Sequence, residues 1–360
     1  MSSNIPTCRW GIISTGMISS WFVADLILDR PDAKVKHIIQ SIGASSVQKA
    51  QAFAFRHCPK SSPTINGSYE EVYADPNVDC VYIGTPISFH KKNCLDAIAA
   101  GKNVLCEKAF TINAQEAKEV FEAAQKKSVY VHEAMWLRHR PMIAKLRHLL
   151  YEDKVIGDVF RMSCDFFDRI DIPNLPETSR YKHPKLGAGT LLDIGIYPLT
   201  WAFLTLDPNP PDNAERPNVL AAQVHQHGVE VTSSILVQYP SSGRQGVITS
   251  THMSNKPSNP ICRVYGTKGY VDVTGEKPSH PHFFTVYKSK EDHQTFDQGQ
   301  KYEFLHVGQG FIFEADNTAL DIAAGRKESA IMPWKETMRV MELMDEIRKQ
   351  GGTEYPQDHE

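Results

Sequence analysis

Two groups of residues have the types and spacing that chemistry on a small polar molecule requires. Lys108 directly follows an apolar strand predicted over 103–106, and Gly84-Thr85-Pro86 follows another such strand. Ligands of open α/β sheets bind outside the carboxyl ends of the strands, so Lys108 would place an ammonium group beside a bound cofactor. Considered alone, Lys108 is better explained as a solvated surface lysine.

Asp193 and Tyr197 form the second group. They stand four residues apart on a helix predicted over 190–206, which places them one turn apart on the same face. The residues beside them are apolar, so this face is either buried or lines a cleft. Taken alone, Tyr197 also fits a core tyrosine whose hydroxyl is satisfied.

The turn after the first predicted strand is a candidate pyrophosphate site. A dinucleotide fold needs a tight glycine turn there, so that backbone N–H groups and a helix N-terminus can approach the phosphates. The turn comprises Ser14, Thr15, Gly16, Met17, Ile18 and Ser19, and only the middle glycine of G-x-G-x-x-G is present. An ordinary strand–helix turn explains the pattern equally well.

The end of the second predicted strand indicates which dinucleotide fits. NAD sites usually carry an acidic residue there for the ribose 2′-hydroxyl. The segment Gln40–Lys49 contains no acid and offers Ser45, Ser46 and Lys49. Hydroxyls and an ammonium group suit a 2′-phosphate, which favours NADP. Ser45 or Ser46 can also serve as the N-cap of the next helix.

The hydrophobic periodicity predicts a doubly wound parallel sheet in residues 1–137. Strands and helices alternate, which implies parallel pairing with right-handed crossovers. The predicted strands cover 10–14, 35–42, 78–83, 103–106 and 129–131, and the helices cover 18–29, 47–55, 91–100 and 113–127.

The remaining residues, 138–360, are expected to form a second α/β domain with an open, mainly antiparallel sheet. Turn signals separate successive strand candidates, as hairpins require. The predicted strands cover 159–167, 219–226, 231–239, 245–253, 261–266, 269–273 and 283–288, and the helices cover 139–151, 190–206, 311–325 and 334–349.

Composition narrows the class of protein further. The 39 basic and 42 acidic residues give a net charge of −3, which excludes affinity for nucleic acid or anionic membranes through a bulk positive field. Seven cysteines without a C-x-x-C pair indicate a reducing compartment. No signal peptide pattern or uninterrupted apolar span is evident, so we expect a cytoplasmic protein that does not enter a membrane.

We expect no metal from the sequence. His280 and His282 lie in a proline-rich turn and lack cysteine or acidic partners at the spacing of known metal signatures. His132 and Glu133 are followed by a histidine too late in the chain for H-E-x-x-H.

These motifs together resemble the Gfo/Idh/MocA oxidoreductase family almost from end to end. Within it, the chain is similar to dimeric trans-dihydrodiol dehydrogenases and NADP-dependent D-xylose 1-dehydrogenases. The resemblance rests on Trp10–Gly16, Gly84–Pro86 with His90, Ala100–Lys108, Glu133–Trp136, Gly187–Gly189, Leu191–Tyr197 and Tyr265–Gly269.

The resemblance implies a Rossmann domain followed by a substrate-binding and dimerisation domain, and it implies catalytic roles. Tyr197 would be the general acid/base, with Lys108 beside it. A free phenol has a pKa of ~10 and is a poor base at neutral pH, and a nearby ammonium group lowers that pKa. Asp193 would orient the site or bind a sugar hydroxyl.

The resemblance also implies residues that bind the cofactor and the substrate. Gly16, Met17 and Ile18 would surround the pyrophosphate. The nicotinamide end would be lined by Gly84, Thr85, Pro86, His90, Glu107, Lys108, Trp136 and Arg138. The substrate pocket would include Phe166, Phe167 and Asp168, together with Asp193 and Tyr197.

Two departures from the family pattern bear on these roles. The usual Glu-Lys-Pro is Glu107-Lys108-Ala109 here, which removes a residue that would fix φ after the lysine. Ser45 stands where similar proteins place an arginine for the 2′-phosphate.

The resemblance predicts an NADP-dependent dehydrogenase that oxidises the C1 hydroxyl of an aldose such as D-xylose or D-glucose. The alternatives are a glucose–fructose oxidoreductase that retains its cofactor, a trans-dihydrodiol dehydrogenase, and a non-catalytic sensor of NADP or sugar. A homodimer is expected, formed through the exposed face of the second-domain sheet.

Overall fold

The computed structural model describes residues 5–31, 33–255, 260–291 and 295–359. The chain divides into two compact units. The first comprises Met1–His139 and His306–Met338, and the second comprises Arg140–Leu305 and Arg339–Glu360. The domain boundary after residue 137 stays a prediction; the first unit differs from the predicted domain by including the segment His306–Met338.

The first unit contains a six-stranded parallel sheet with the strand order β3-β2-β1-β4-β5-β6. This is the doubly wound order, in which the direction of winding reverses between β1 and β4. The predicted fold of this part is confirmed. The strands are β1 Thr7–Ile13, β2 Lys36–Gly43, β3 Thr64–Asn66, β4 Cys80–Ile83, β5 Asn103–Glu107 and β6 Val131–Ala134.

The crossover helices follow the predicted periodicity closely. Asn113 caps α5 as expected, since its side chain accepts the Glu116 N–H at 2.9 Å. The three-residue strand β3 and the short helix α3 were not predicted. The helices of this unit are α1 Met17–Leu26, α2 Val47–His57, α3 Glu70–Ala74, α4 His90–Ala99, α5 Ala114–Lys127 and α8 Ile312–Ala323.

A buried carboxylate holds the distant segment 306–338 in the first unit. Asp25, on α1, accepts the backbone N–H groups of Gln309, Gly310 and Phe311 at 2.9, 2.7 and 2.8 Å. These donors stand just before α8, so one acid fixes the approach to that helix. Asp316, on α8, pairs with Arg30 at 3.1 Å, and His37 Nε2 on β2 lies 2.9 Å from the same carboxylate oxygen.

The second unit is built on an eight-stranded sheet of order β14-β13-β12-β11-β7-β10-β9-β8. Of the pairs among the described strands, β7 with β10 is parallel and the others are antiparallel, which confirms the predicted open sheet. The strands are β7 Val159–Phe167, β8 Asn218–Gln226, β9 Val229–Gln238, β10 Gln245–Thr251, β11 Cys262–Gly266, β12 Gly269–Lys277, β13 His280–Lys288 and β14 Gln300–Glu303.

The helices of this part are α6 Pro141–Tyr151, α7 Ile196–Leu206 and α9 Trp334–Gly351, and the division between the two units falls inside α9. Every residue of α7 is buried. The stretch Pro184–Leu206 is long and apolar enough to cross a membrane, but its apolar window lies wholly inside the protein, as in any core helix.

Candidate functional site

The turn after β1 has the geometry of a pyrophosphate site. Ser14 has φ of 79° in the left-handed region that favours glycine, and its N–H donates to the Gly43 carbonyl at 3.2 Å. Gly16 has φ of −77°, open to any residue, and an added Cβ would meet only the Ser14 hydroxyl at 3.6 Å. Neither backbone nor packing requires glycine here, so the space in front of α1 suits a ligand that approaches the chain closely.

At Gly84, the absence of a side chain allows close packing between α1 and the end of β4. A Cβ there would lie 2.3 Å from the Ser19 hydroxyl and 3.3 Å from the Ile18 side chain. Gly84 therefore lets the first turn of α1 pack directly against the end of β4. Close packing at this point keeps the helix N-terminus at the edge of the sheet where the winding reverses.

Ser45, Ser46 and Lys49 come together just beyond the end of β2. The Lys49 ammonium group donates to the Ser45 hydroxyl at 2.9 Å, and the Ser46 side chain caps α2 by accepting the Lys49 N–H at 3.3 Å. Ser45 and Lys49 are exposed. Because Ile13 and Gly43 are paired in neighbouring strands, this cluster and the glycine turn lie at adjacent strand ends. The donors fit a phosphate on a ribose bound along that edge.

His90 connects the ends of β4 and β5. One ring nitrogen lies 2.8 Å from the Thr85 carbonyl, and the other lies 3.0 Å from the Ala109 carbonyl. Complete burial lowers the pKa of His90. The Lys108-Ala109 peptide bond next to this contact is cis. His90 is therefore fixed between backbone groups, and it holds the segment that carries Lys108.

Glu107 is a buried acid at the end of β5. Its carboxylate accepts the Tyr82 hydroxyl at 2.7 Å and the Lys108 N–H at 3.3 Å. Burial raises the pKa of Glu107 to about 7, although Lys108 and the Tyr82 hydrogen bond act in the opposite direction. Glu107 therefore changes protonation state near neutral pH, directly beside Lys108.

Trp136 is buried, the side chain of Arg138 is largely covered, and both are anchored to the segment 306–338. The Trp136 ring stacks on Phe311 with centroids 4.4 Å apart, and the Arg138 guanidinium forms an ion pair with Glu336. Both side chains of that ion pair are almost fully buried. Contact of Trp136 and Arg138 with a nicotinamide stays a prediction, as it does for Thr85 and Pro86 at the end of β4.

Asp193 and Tyr197 lie on one helical stretch that begins as a π-helix. The π-helical turn covers Leu191–Gly195 and passes directly into α7, so Asp193 is in the wide turn and Tyr197 at the start of the regular helix. Such π turns are frequent at functional sites. The predicted helix is confirmed, while its π-helical first turn was not predicted.

Asp193 is held by two residues that the sequence analysis did not identify. Both terminal nitrogens of Arg180 donate to one Asp193 oxygen at 3.1 Å, and His252 lies 3.6 Å from the other oxygen. Arg180 also donates to the Tyr181 hydroxyl at 2.7 Å. These residues come from a loop and from the end of β10, so no local spacing could have revealed them.

The predicted substrate residues lie at the end of β7. The Phe166 ring approaches the Tyr197 ring, with centroids 5.8 Å apart. The carboxylate of Asp168 is paired with Lys277 at 2.9 Å, and its backbone carbonyl lies 3.0 Å from His252. Phe167 is half-buried at the last position of the strand. The structure thus brings Phe166 to Tyr197 and connects Asp168 to the Asp193 cluster through His252.

These features define a dinucleotide-binding oxidoreductase fold, with one cluster in each unit. Comparison with known protein families identifies the family to which the chain belongs. Residues 8–135 match the family described as "Oxidoreductase family, NAD-binding Rossmann fold" (GFO_IDH_MocA), and residues 143–272 match the GFO/IDH/MocA C-terminal domain. The chain belongs to the Gfo/Idh/MocA oxidoreductase family, and it is an oxidoreductase.

Two curated relatives are similar over nearly their whole length. A D-xylose 1-dehydrogenase (NADP(+)) of Hypocrea jecorina is 36% identical, covering 99% of this chain and 95% of the relative. A trans-1,2-dihydrobenzene-1,2-diol dehydrogenase of Xenopus tropicalis is 33% identical, covering 97% and 99%. The solved 3-ketoreductase KijD10 of Actinomadura kijaniata, in complex with NADP and TDP-benzene, has a TM-score of 0.79 at 21% identity, covering 96% and 98%, and shares the fold.

Proposed function

We propose that this protein is an NADP-dependent dehydrogenase that oxidises the C1 hydroxyl of an aldose, of the D-xylose or D-glucose type, to the lactone. The proposal rests on the 36% identity to a D-xylose 1-dehydrogenase (NADP(+)), which extends over almost the full length of both chains. Sugar or diol oxidation is common to the relatives, and C1 of an aldose is the more specific assignment.

The cofactor of this reaction is NADP. Ser45, Ser46 and Lys49 supply two hydroxyls and a cation beyond β2, where an NAD site would carry an acid. Gly16 leaves the space at the start of α1 that a pyrophosphate needs. NADP, when bound, supplies the carbon that accepts a hydride from the sugar.

The chain's own residues accept the proton that the sugar hydroxyl loses. Tyr197 takes the proton of the C1 hydroxyl as general base, assisted by the Lys108 ammonium group, which is the role that the resemblance to the family implies. Asp193 binds a neighbouring sugar hydroxyl. Arg180 holds that carboxylate in one orientation, because two of its nitrogens donate to the same oxygen.

A second candidate reaction is the oxidation of a trans-dihydrodiol. It is favoured by the 33% identity to the Xenopus tropicalis enzyme. That similarity covers 97% of this chain, against 99% for the D-xylose 1-dehydrogenase. The buried ring of Phe166 beside Tyr197 offers an apolar surface that a carbocyclic diol would also contact.

We further propose that the protein is a homodimer that pairs through the eight-stranded sheet and acts in the cytoplasm. Leu220 and Val224 are exposed on the edge strand β8, and Tyr270 and Asp272 alternate with buried valines on β12. Size-exclusion chromatography with light scattering tests the dimer, and a monomer at micromolar concentration contradicts it.

The function is tested by following NADPH absorbance after NADP is mixed with D-xylose, D-glucose or a trans-dihydrodiol. Steady formation of NADPH with an aldose supports the proposal, and faster turnover of the diol favours the second candidate. Nucleotide that stays bound through gel filtration and is reoxidised by fructose would instead indicate a coupled sugar oxidoreductase. Tight nucleotide binding without turnover of any substrate would indicate a sensor.

A further inference from the structure

The hairpin between β12 and β13 carries three potential metal ligands outside the cluster around Asp193. Glu276, His280 and His282 each offer one ligand atom, and these atoms lie within 4.8 Å of one another. Among the residues that the structure describes, this is the one group of three His, Cys, Asp or Glu side chains whose ligand atoms lie close enough to share a metal ion. The spacing of His280 and His282 in the sequence did not predict this group, because Glu276 was not identified as their acidic partner.

A β-bulge directs Glu276 toward the histidines. Gly275 pairs with Pro281 and Lys277 pairs with His280, which leaves Glu276 as an extra residue without a partner in the ladder. Gly275 is required there, because an added Cβ would lie 2.5 Å from the His280 carbonyl oxygen. The close approach of the two strands brings the acid and both imidazoles to one side of the hairpin end.

The spacing of the three groups suits an ion better than it suits direct hydrogen bonds. The Glu276 carboxylate lies 3.6 Å from His280 Nδ1 and 3.9 Å from His282 Nε2, both longer than a hydrogen bond. The imidazole rings are perpendicular, with centroids 5.1 Å apart. Ligands around a tetrahedral zinc ion, bound at about 2.0–2.2 Å, are separated by about 3.4 Å. The three ligand atoms, which lie up to 4.8 Å apart, would move closer together on an ion.

We propose that Glu276, His280 and His282 bind a late first-row divalent metal ion of the Zn²⁺ type. Two imidazoles and one carboxylate are borderline ligands that prefer such an ion to Mg²⁺ or Ca²⁺, and water completes the fourth position. His282 and Glu276 have 44% and 68% of their side-chain area exposed, so an ion can enter from solvent.

The metal would fix a hairpin that is tied to the reactive part of the same unit. Lys277, next to Glu276, is paired with Asp168 at 2.9 Å. The Pro278 carbonyl accepts the indole N–H of Trp201 at 2.9 Å, and Trp201 lies on α7, the helix that carries Tyr197. An ion at the hairpin end therefore stabilises the turn against which this helix is anchored.

Zinc binding to the full chain tests the proposal, with a chromophoric zinc chelator as competitor and the melting temperature as a second readout. The variants are Glu276→Gln and His282→Ala, and the matched control is His148→Ala. His148 is also an exposed histidine beside an acid, with Asp153 at 3.4 Å, but it has only that one partner.

We expect the wild type and His148→Ala to bind one Zn²⁺ per chain and to melt about 5 °C higher in saturating zinc. The two hairpin variants should bind zinc at least tenfold more weakly and lose that rise, while melting normally without zinc. The proposal is overturned if the wild type takes up no zinc at 100-fold excess over the chain, or if the hairpin variants bind zinc as tightly as the wild type.

Discussion

Glu230 binds the start of the helix that carries Asp193 and Tyr197: its carboxylate accepts the Leu191 backbone N–H at 2.9 Å. The same side chain accepts the hydroxyls of Thr190 at 2.5 Å and Ser233 at 2.8 Å. A fully buried acid on β9 thus satisfies an orphan donor at the first turn of the π-helix and complements the positive end of its dipole.

Glu230→Gln should therefore destabilise the protein and disturb the site together. The amide replaces one acceptor oxygen with an NH₂ group, which would face the donors that Glu230 now accepts. This mismatch should lower the free energy of unfolding by about 1–3 kcal/mol. We expect a lower melting temperature and a reduced kcat with sugar. Glu303→Gln, at an exposed acid on β14, is the control and should change neither. Unchanged melting of Glu230→Gln would contradict this role.

Lys49→Ala tests the assignment of the 2′-phosphate site. Losing one exposed phosphate contact should raise KM for NADP about tenfold, equivalent to about 1.4 kcal/mol, and leave KM for NAD unchanged. Lys60→Ala, at another exposed lysine of the same unit, should alter neither value. An equal rise for both nucleotides would place Lys49 outside the 2′-phosphate site.

Tyr197→Phe should separate chemistry from binding. Removing the proposed general base should lower kcat by roughly 10²–10⁴-fold, with the affinity for NADP retained. Tyr287→Phe, on the half-buried face of the sheet in the same unit, is the matched control. Lys108→Met should also lower kcat and move the acidic limb of the pH–rate profile to higher pH, because an ammonium group would no longer favour the ionised form of the proposed base. Wild-type turnover in Tyr197→Phe would rule out this base.

Glu107 gives the protein a pH-dependent stability of defined sign. Its pKa is raised from 4.5 to about 7 in the folded state, so between these values the unfolded chain is ionised while the folded chain keeps its proton. The free energy of unfolding should therefore fall as pH rises from about 4.5 to 7. Glu107→Gln, which retains an acceptor for Tyr82, should flatten part of this slope in thermal unfolding at several pH values. An unchanged slope would contradict the raised pKa.

Local sequence patterns predicted the elements of this protein well, because strands and helices are encoded by periodicity within each segment. The strands β3 and β14, with three and four residues, were missed because they are too short to show a period. The clusters at the site depend on contacts between distant positions. Arg180 meets Asp193 only after a loop folds back, and Glu230 reaches Leu191 from a separate strand. Glu276 was overlooked because a β-bulge directs it toward His280. The local sequence shows no signal for this bulge.

The most direct test of the proposed reaction uses D-xylose and D-glucose labelled with deuterium at C1. The purified protein is incubated with NADP and each labelled sugar, and the nucleotide product is analysed by mass spectrometry. We predict that the deuterium appears in the reduced nucleotide, that the sugar product is the lactone or its hydrolysed acid, and that Tyr197→Phe forms little of either. Reduced nucleotide that lacks the label would show that the hydride leaves another carbon, and the assignment of C1 would be wrong.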